Sequence, residues 1–255
     1  MTKILKMLPL VVLTGCAMFN QSDPYSLDKL VDKTESAVSI INDDQSLDYR
    51  IYAPKLVDGE VYPVCIFLHD SDECNTNNVD QMRVAFGDIV RYIEENDTPA
   101  VVVAPKCPDG KTWSDDDVID LVDAYIGQLT HNKYVDTERI YLTGFGMGGE
   151  GVWNYALSAP DRVATIAPVC GGTLATKQTP TPGIPLELSD VNIWAIHYVD
   201  DRVRTSDLSK KILSGVWTQN TGLSKITEFP SGGHTARIYA DPAFMGWLFS
   251  TKRSR

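Results

Sequence analysis

The run Gly144-Phe145-Gly146-Met147-Gly148-Gly149 lies between an apolar stretch, Arg139 to Thr143, and a stretch of helical character from Gly151 to Leu157. A strand, a glycine-rich turn and a helix in that order make a nucleophile elbow, which reads G-x-S-x-G and lifts a serine hydroxyl beside backbone N–H groups able to hold an oxyanion. Here Gly146 stands where the serine is required. Two other groups of the same chemistry follow, an acid in His197-Tyr198-Val199-Asp200-Asp201 and a base in Ser231-Gly232-Gly233-His234. Attacking group, acid and histidine thus fall in the order needed for acyl transfer through an activated hydroxyl, with the hydroxyl missing.

The elements that must hold these residues can be read from periodicity. Val38-Ser39-Ile40-Ile41 and Leu47-Asp48-Tyr49-Arg50-Ile51-Tyr52 flank a turn at Asn42 to Gln45, which predicts an antiparallel hairpin. Apolar runs at Val64–Leu68, Ala100–Ala104, Ile140–Thr143, Ala164–Val169, Ile193–His197 and Lys225–Phe229 predict strands. Helical stretches lie between them near Asp80–Glu95, Asp115–Thr130, Gly151–Leu157 and Thr205–Trp217, and a last one follows Tyr239. Continuous apolar strands alternating with helices imply an α/β fold, a mostly parallel sheet covered on both faces. Thr173 to Pro185 reads as a long loop over the top of that sheet. Ligands of such sheets sit at the carboxyl ends of the strands, where His69 to Glu73, the elbow, Asp201 and His234 all fall.

A wider pattern accompanies these motifs. Tyr49 to Pro54, Tyr62-Pro63, Phe67-Leu68-His69, Ala104-Pro105-Lys106-Cys107-Pro108, Asp136 to Tyr141, Pro160-Asp161-Arg162 and Val169-Cys170-Gly171-Gly172 occur in order through most of the chain. Together they resemble the esterase and predicted-peptidase group of the α/β-hydrolase superfamily, related to polyhydroxybutyrate depolymerases and feruloyl esterases. The resemblance implies Asp201 as triad acid and His234 as triad base. It also implies an oxyanion hole made by the N–H of Met147 and by the loop at Asp70 and Ser71. It implies no cofactor and no metal.

The departures gather at the same place. Besides Gly146, the family's His-Gly-x-Gly-Glu loop reads His69-Asp70-Ser71-Asp72-Glu73, and Tyr198 replaces a glycine in the acid loop. Asp70 and Asp72 would both place negative charge beside a site built for an anion. Ser71 could be a substitute nucleophile, but its context is that of a turn. The acidic cluster could bind a hard cation, but without ligand spacing a solvated acidic loop is the expectation. Trp113 follows Lys111-Thr112 in a loop and could line a pocket, whereas Trp153, Trp194, Trp217 and Trp247 read as core.

The N-terminus carries a different signal. Lys3 and Lys6 precede an apolar stretch, Leu8 to Leu13, too short to span a bilayer. It ends in Leu13-Thr14-Gly15-Cys16, which resembles the bacterial lipobox and implies a lipidated Cys16 after removal of residues 1–15. The expected organisation is a signal peptide over 1–15, a lipid-anchored tether over 16–35 and a hydrolase domain over 36–255. The chain of 255 residues, 43% apolar, is long enough for one well-formed core. Losing Lys3 and Lys6 from 23 basic residues leaves 21 against 34 acidic ones, a net charge of −13, which disfavours nucleic acid. The expected location is the cell envelope, outside the cytoplasm, where a disulfide among Cys74, Cys107 and Cys170 is permitted. Cys65 reads as core.

Two functions remain open on the sequence. One is a catalytically silent homologue that binds an ester-like small molecule or a protein partner in the old cleft. The other is a feeble carboxylic ester hydrolase in which His234 activates water. The Asp201–His234 pair could equally survive only to hold two loops together.

Overall fold

The computed structural model describes residues 23–74, 77–172, 188, 190–216 and 223–253. Eight strands form one sheet: β1 (Glu35–Asn42), β2 (Gln45–Tyr52), β3 (Tyr62–Leu68), β4 (Val101–Pro105), β5 (Val135–Phe145), β6 (Thr165–Val169), β7 (Asn192–Tyr198) and β8 (Ser224–Phe229). Their spatial order is β1-β2-β4-β3-β5-β6-β7-β8. β1 and β2 form the expected antiparallel hairpin, β2 joins β4 antiparallel, and every other pairing is parallel. In the central strand β3, Tyr62 to Leu68 are all buried, as a strand covered on both faces requires.

Helices cover the sheet from both sides. α1 (Leu27–Lys33), α2 (Phe86–Glu95) and α6 (Pro242–Leu248) pack on one face around Leu30, Phe86, Ile89, Phe244 and Leu248. α3 (Asp116–Leu129), α4 (Met147–Ser158) and α5 (Asp207–Val216) pack on the other around Val118, Val122, Trp153, Ile212 and Leu213. α2 buries Phe86, Ile89, Val90 and Ile93, one stripe of an amphipathic helix. The helix expected from Asp80 to Glu95 is interrupted. A 3-10 turn over Asp80–Met82 is separated from α2 by Ala85, whose φ of 67° no helix accommodates.

Two boundaries differ from the sequence reading. Residues 23–35, read from the sequence as part of a tether, pack against the domain: Leu30 is buried, Arg50 donates to the carbonyls of Val31 and Thr34, and Arg91 pairs with Asp23. α4 starts at Met147 and not at Gly151, because glycines let its first turn lie directly on the sheet. A Cβ on Gly148 would sit 1.9 Å from the Leu68 carbonyl oxygen. Residues 1–22, with Cys16, the whole loop from Thr173 to Pro185, and Trp217 lie outside the described residues. Among the described residues no helix is long and apolar enough to cross a membrane.

Candidate active site

The strand order brings the carboxyl ends of β3, β5, β6, β7 and β8 side by side, and with them Asp70, Gly146, Cys170, Asp201 and His234. β5 passes into α4 through Gly146 at φ 57°, ψ −115°, a conformation that L side chains enter only under strain. The Gly146 N–H is fixed on the Val169 carbonyl at 3.0 Å, and its own carbonyl receives the Glu150 N–H at 3.1 Å. The sharp strand-to-helix turn expected from the sequence is therefore built in full.

Asp201 and His234 meet as expected. His234 Nδ1 lies 2.8 Å from Asp201 Oδ2, while Asp201 Oδ1 accepts the N–H groups of Val203 at 2.8 Å and Arg204 at 3.0 Å. The adjacent Asp200 accepts the Gly233 N–H at 2.7 Å, tying the acid loop to the histidine loop. The His234 ring packs on Phe145, with centroids 4.6 Å apart.

The Asp70 carboxylate occupies the place of the missing side chain. A Cβ built on Gly146 would fall 2.2 Å from Asp70 Oδ1, 2.4 Å from its Cγ and 2.6 Å from its Oδ2. Asp70 Oδ1 accepts the Met147 N–H at 2.7 Å, and the Ser71 N–H also bonds the carboxylate. Asp70 Oδ2 lies 3.3 Å from His234 Nε2. Of the N–H groups expected at the oxyanion hole, those of Met147 and Ser71 are thus turned on the Asp70 carboxylate, and that of Asp70 on Glu73. Burial disfavours the Asp70 charge, but the bonds from His234, Met147 and Ser71 outweigh it and hold its carboxyl below the ordinary range.

His234 stands between two carboxylates. Burial opposes its charge, yet its bonds to Asp70 and Asp201 raise its pKa above the usual histidine value. An imidazolium in this position donates both N–H groups, and its Nε2 has no lone pair left with which to take a proton.

The acidic loop departs from expectation in a specific way. Asp70 and Glu73 are buried, at 7% and 4% exposure, and only Asp72 faces solvent. A solvated acidic loop is therefore not what forms, and Asp72 does not oppose an oxyanion. Glu73 Oε2 accepts the Asp70 N–H at 2.9 Å, and burial pushes its carboxyl up to about 7. Ser71 opens the 3-10 turn Ser71–Glu73 as an exposed turn residue. Trp113 is fully buried in the core and donates its indole N–H to the His69 carbonyl at 2.9 Å. His69, whose pKa burial lowers to about 4, is a neutral support, bonding the Asp70 carbonyl through Nδ1 and accepting the Cys107 N–H at Nε2.

Cys170, which the sequence reading left outside the site, lies in it. It is buried at φ 51°, beside Asp201. Its place at the carboxyl end of β6 was the available signal. Among the described residues Cys170, Asp201 and His234 bring ligand-type atoms within 4.8 Å of one another. His234 Nδ1 and both Asp201 oxygens are already engaged in the hydrogen bonds above, so these residues are arranged as a hydrogen-bonded cluster.

Comparison with known proteins agrees with this architecture. A model of the dienelactone hydrolase family matches residues 92–237, more than half of the chain. A thermostable esterase structure aligns with a TM-score of 0.75 at 24% identity, over 88% of this chain and 64% of that one, so the chain spans less than two thirds of that esterase. The feruloyl esterase module from Clostridium thermocellum, a serine-to-alanine mutant complexed with sinapinate, aligns with a TM-score of 0.63 at 15% identity over 88% and 92% of the two chains. Esterases from the fungus Rhizomucor miehei give 0.63 at 12% identity over 85% and 84%. At these identities the likeness is one of fold. No match was found among curated proteins.

Proposed function

The chain belongs to the dienelactone hydrolase family, and from that premise we propose that it is a serine-hydrolase homologue that has given up serine-hydrolase catalysis. The observation that carries this reading is the Asp70 carboxylate, which fills the space of the absent side chain and takes the Met147 N–H. Three requirements of acyl transfer fail together. There is no hydroxyl at Gly146, the Met147 and Ser71 N–H groups already hold an anion, and His234 lies between two carboxylates that favour its protonated form over the free base. Water activated by His234, the competing reading, needs a neutral Nε2 free to accept a proton.

The arrangement of Asp70 resembles a bound acid product of ester cleavage, with one oxygen on an oxyanion N–H and the other at the histidine. The retained cleft accordingly serves binding, and its ligand is a small ester-like or carboxylate molecule able to displace Asp70. A protein partner at the same loops is the other occupant. The lipobox-like Leu13 to Cys16 supports an envelope protein held to a membrane by acyl chains on Cys16.

A fluorophosphonate probe and a short p-nitrophenyl ester test the central point. The unmodified protein should be neither labelled by the first nor turn over the second above the rate of a His234→Ala variant. Turnover that depends on His234 would establish the water-activation reading instead. Fatty-acid labelling that survives Cys16→Ser would remove the anchor.

A further inference from the structure

The cysteines of the site region are sorted by the fold into one pair and two singletons. Cys65 is buried inside β3, away from loops, and Cys170 is buried with its Sγ–H directed at the Thr235 carbonyl, 3.9 Å away. Cys74 closes the 3-10 turn that begins after Asp70, its N–H on the Ser71 carbonyl at 3.1 Å, and its side chain is exposed. Cys107 follows β4, and its N–H is fixed at 3.1 Å on His69, the residue before Asp70. The two loops therefore meet at His69, which sets the Cys74 and Cys107 side chains beside each other.

We propose that Cys74 and Cys107 are a disulfide-forming pair whose cross-link clamps the Asp70 turn onto the loop after β4. A disulfide requires two side chains facing each other across a short gap, and the junction of the two loops, with Cys107 N–H on His69 and Cys74 ending the turn that follows it, brings the two residues together for that bond. Cys170 is excluded because its sulfur is committed to the Thr235 carbonyl on the other side of the site.

The chemistry is ordinary thiol–disulfide exchange with a low-molecular-weight disulfide as oxidant. The Cys74 thiolate attacks one sulfur of the oxidant, forming a mixed disulfide and releasing one thiolate. The Cys107 thiolate then attacks the Cys74 sulfur, forming the internal bond and releasing the second thiolate. The two protons lost by the protein thiols end on the two released thiolates, and the two electrons reduce the oxidant. The division of labour follows from position. Cys74 is exposed and its thiolate is favoured by the Cys107 thiol beside it, whereas that neighbour and burial push the Cys107 thiol up, so Cys74 is the attacking group and Cys107 the resolving one.

The cross-link would close a loop containing β4 and α2, and so restrict the unfolded chain. It would also hold Asp70 against Met147 from outside, since Cys74 ends the turn that Asp70 caps. This inference concerns the loops and stands whatever the cleft binds.

The test is to treat the full-length folded protein with oxidised glutathione and map thiols by peptide mass without reduction. The expected result is a monomer with one internal 74–107 linkage, free thiols at Cys65 and Cys170, and no internal linkage through Cys16. Its thermal midpoint should lie roughly 10 °C above that of the reduced form. Cys107→Ser should stall with glutathione on Cys74, and Cys74→Ser should leave every remaining folded-state thiol free. Stable glutathione on Cys74 in the unmodified protein, linkage through Cys170, a linkage between two molecules, or no thiol loss would each overturn the pairing.

Discussion

Restoring a serine at position 146 by itself should fail, and the structure says by how much. The new Cβ would lie 2.2–2.6 Å from three atoms of the Asp70 carboxyl group, closer than real Cβ atoms approach any neighbour. Asp70 would have to leave. Its departure gives up the Met147 N–H at 2.7 Å, the Ser71 N–H and the contact with His234 at 3.3 Å. Hydrogen bonds to charged groups contribute about 1.5–3 kcal/mol each. A non-glycine residue at φ 57°, ψ −115° adds strain of about 1–3 kcal/mol. A net destabilisation near ~4 kcal/mol follows once partial rehydration of Asp70 is allowed for, which lowers the melting temperature by about 8–16 °C. In Gly146→Ser/Asp70→Gly the obstruction is gone and the Met147 N–H is free. The double variant lacks the same Asp70 hydrogen bonds and carries the same backbone strain, so its stability should stay near that of the single variant. In the single variant the displaced carboxylate stays beside the Met147 N–H and competes with an oxyanion for it; one oxyanion donor is worth roughly 3–4 kcal/mol of barrier, so the double variant should outpace the single one in p-nitrophenyl ester cleavage by up to about two to three orders of magnitude. Asp72 is exposed, so adding Asp72→Gly should change nothing. Differential scanning fluorimetry, fluorophosphonate labelling and ester kinetics on all three variants decide the matter. A Gly146→Ser protein as stable as the unmodified one and as reactive as the double variant would refute the placement of Asp70.

Asp70→Asn should lower the His234 pKa, because the Asp70 hydrogen bond and charge help to raise it; an imidazole NMR titration unchanged by the substitution would contradict the contact. His69 and His197 are buried with pKa values of about 4, below the roughly 6.5 of an unfolded histidine. The unfolded chain therefore binds more protons, and their stabilisation is complete above about pH 6.5 and lost as pH falls toward 4, of order 3 kcal/mol for each. His234, with its raised value, runs the opposite way, stabilising below about pH 6.5 and fading as pH rises through its folded pKa. Urea midpoints measured from pH 7 to 4 should fall, and less so in His197→Gln; a flat profile would refute the buried neutral histidines. Gly148→Ala should be among the most damaging single changes in the domain, since its Cβ would meet the Leu68 carbonyl at 1.9 Å and neither backbone can yield; recovery of a soluble protein with an unchanged melting temperature would show that α4 sits elsewhere.

The strands, the hairpin, the elbow and the order of Asp201 and His234 were legible in the sequence because each is encoded locally. A buried parallel strand announces itself as an unbroken apolar run such as Val64 to Leu68, and a turn at positive φ announces itself as glycine. The glycine at 146 could therefore be placed in its turn before any coordinates were known. The start of α4 was not legible, because it depends on how close a helix of glycines can approach β3.

What fills the gap at Gly146 belongs to the tertiary structure. Asp70 and Met147 are 77 residues apart, and Asp70 and His234 are 164 apart. No pattern in a linear chain distinguishes Asp70, turned inward onto two N–H groups, from Asp72, two positions along and facing water. A 3-10 turn anchored by Glu73 and His69 makes that choice. The same applies to Trp113, drawn inward by the His69 carbonyl, and to Cys74, set against Cys107 by the meeting of two loops. Local periodicity fixes which segments become strands and helices; the direction of a polar side chain is fixed by whichever partner the packed sheet brings within hydrogen-bonding distance.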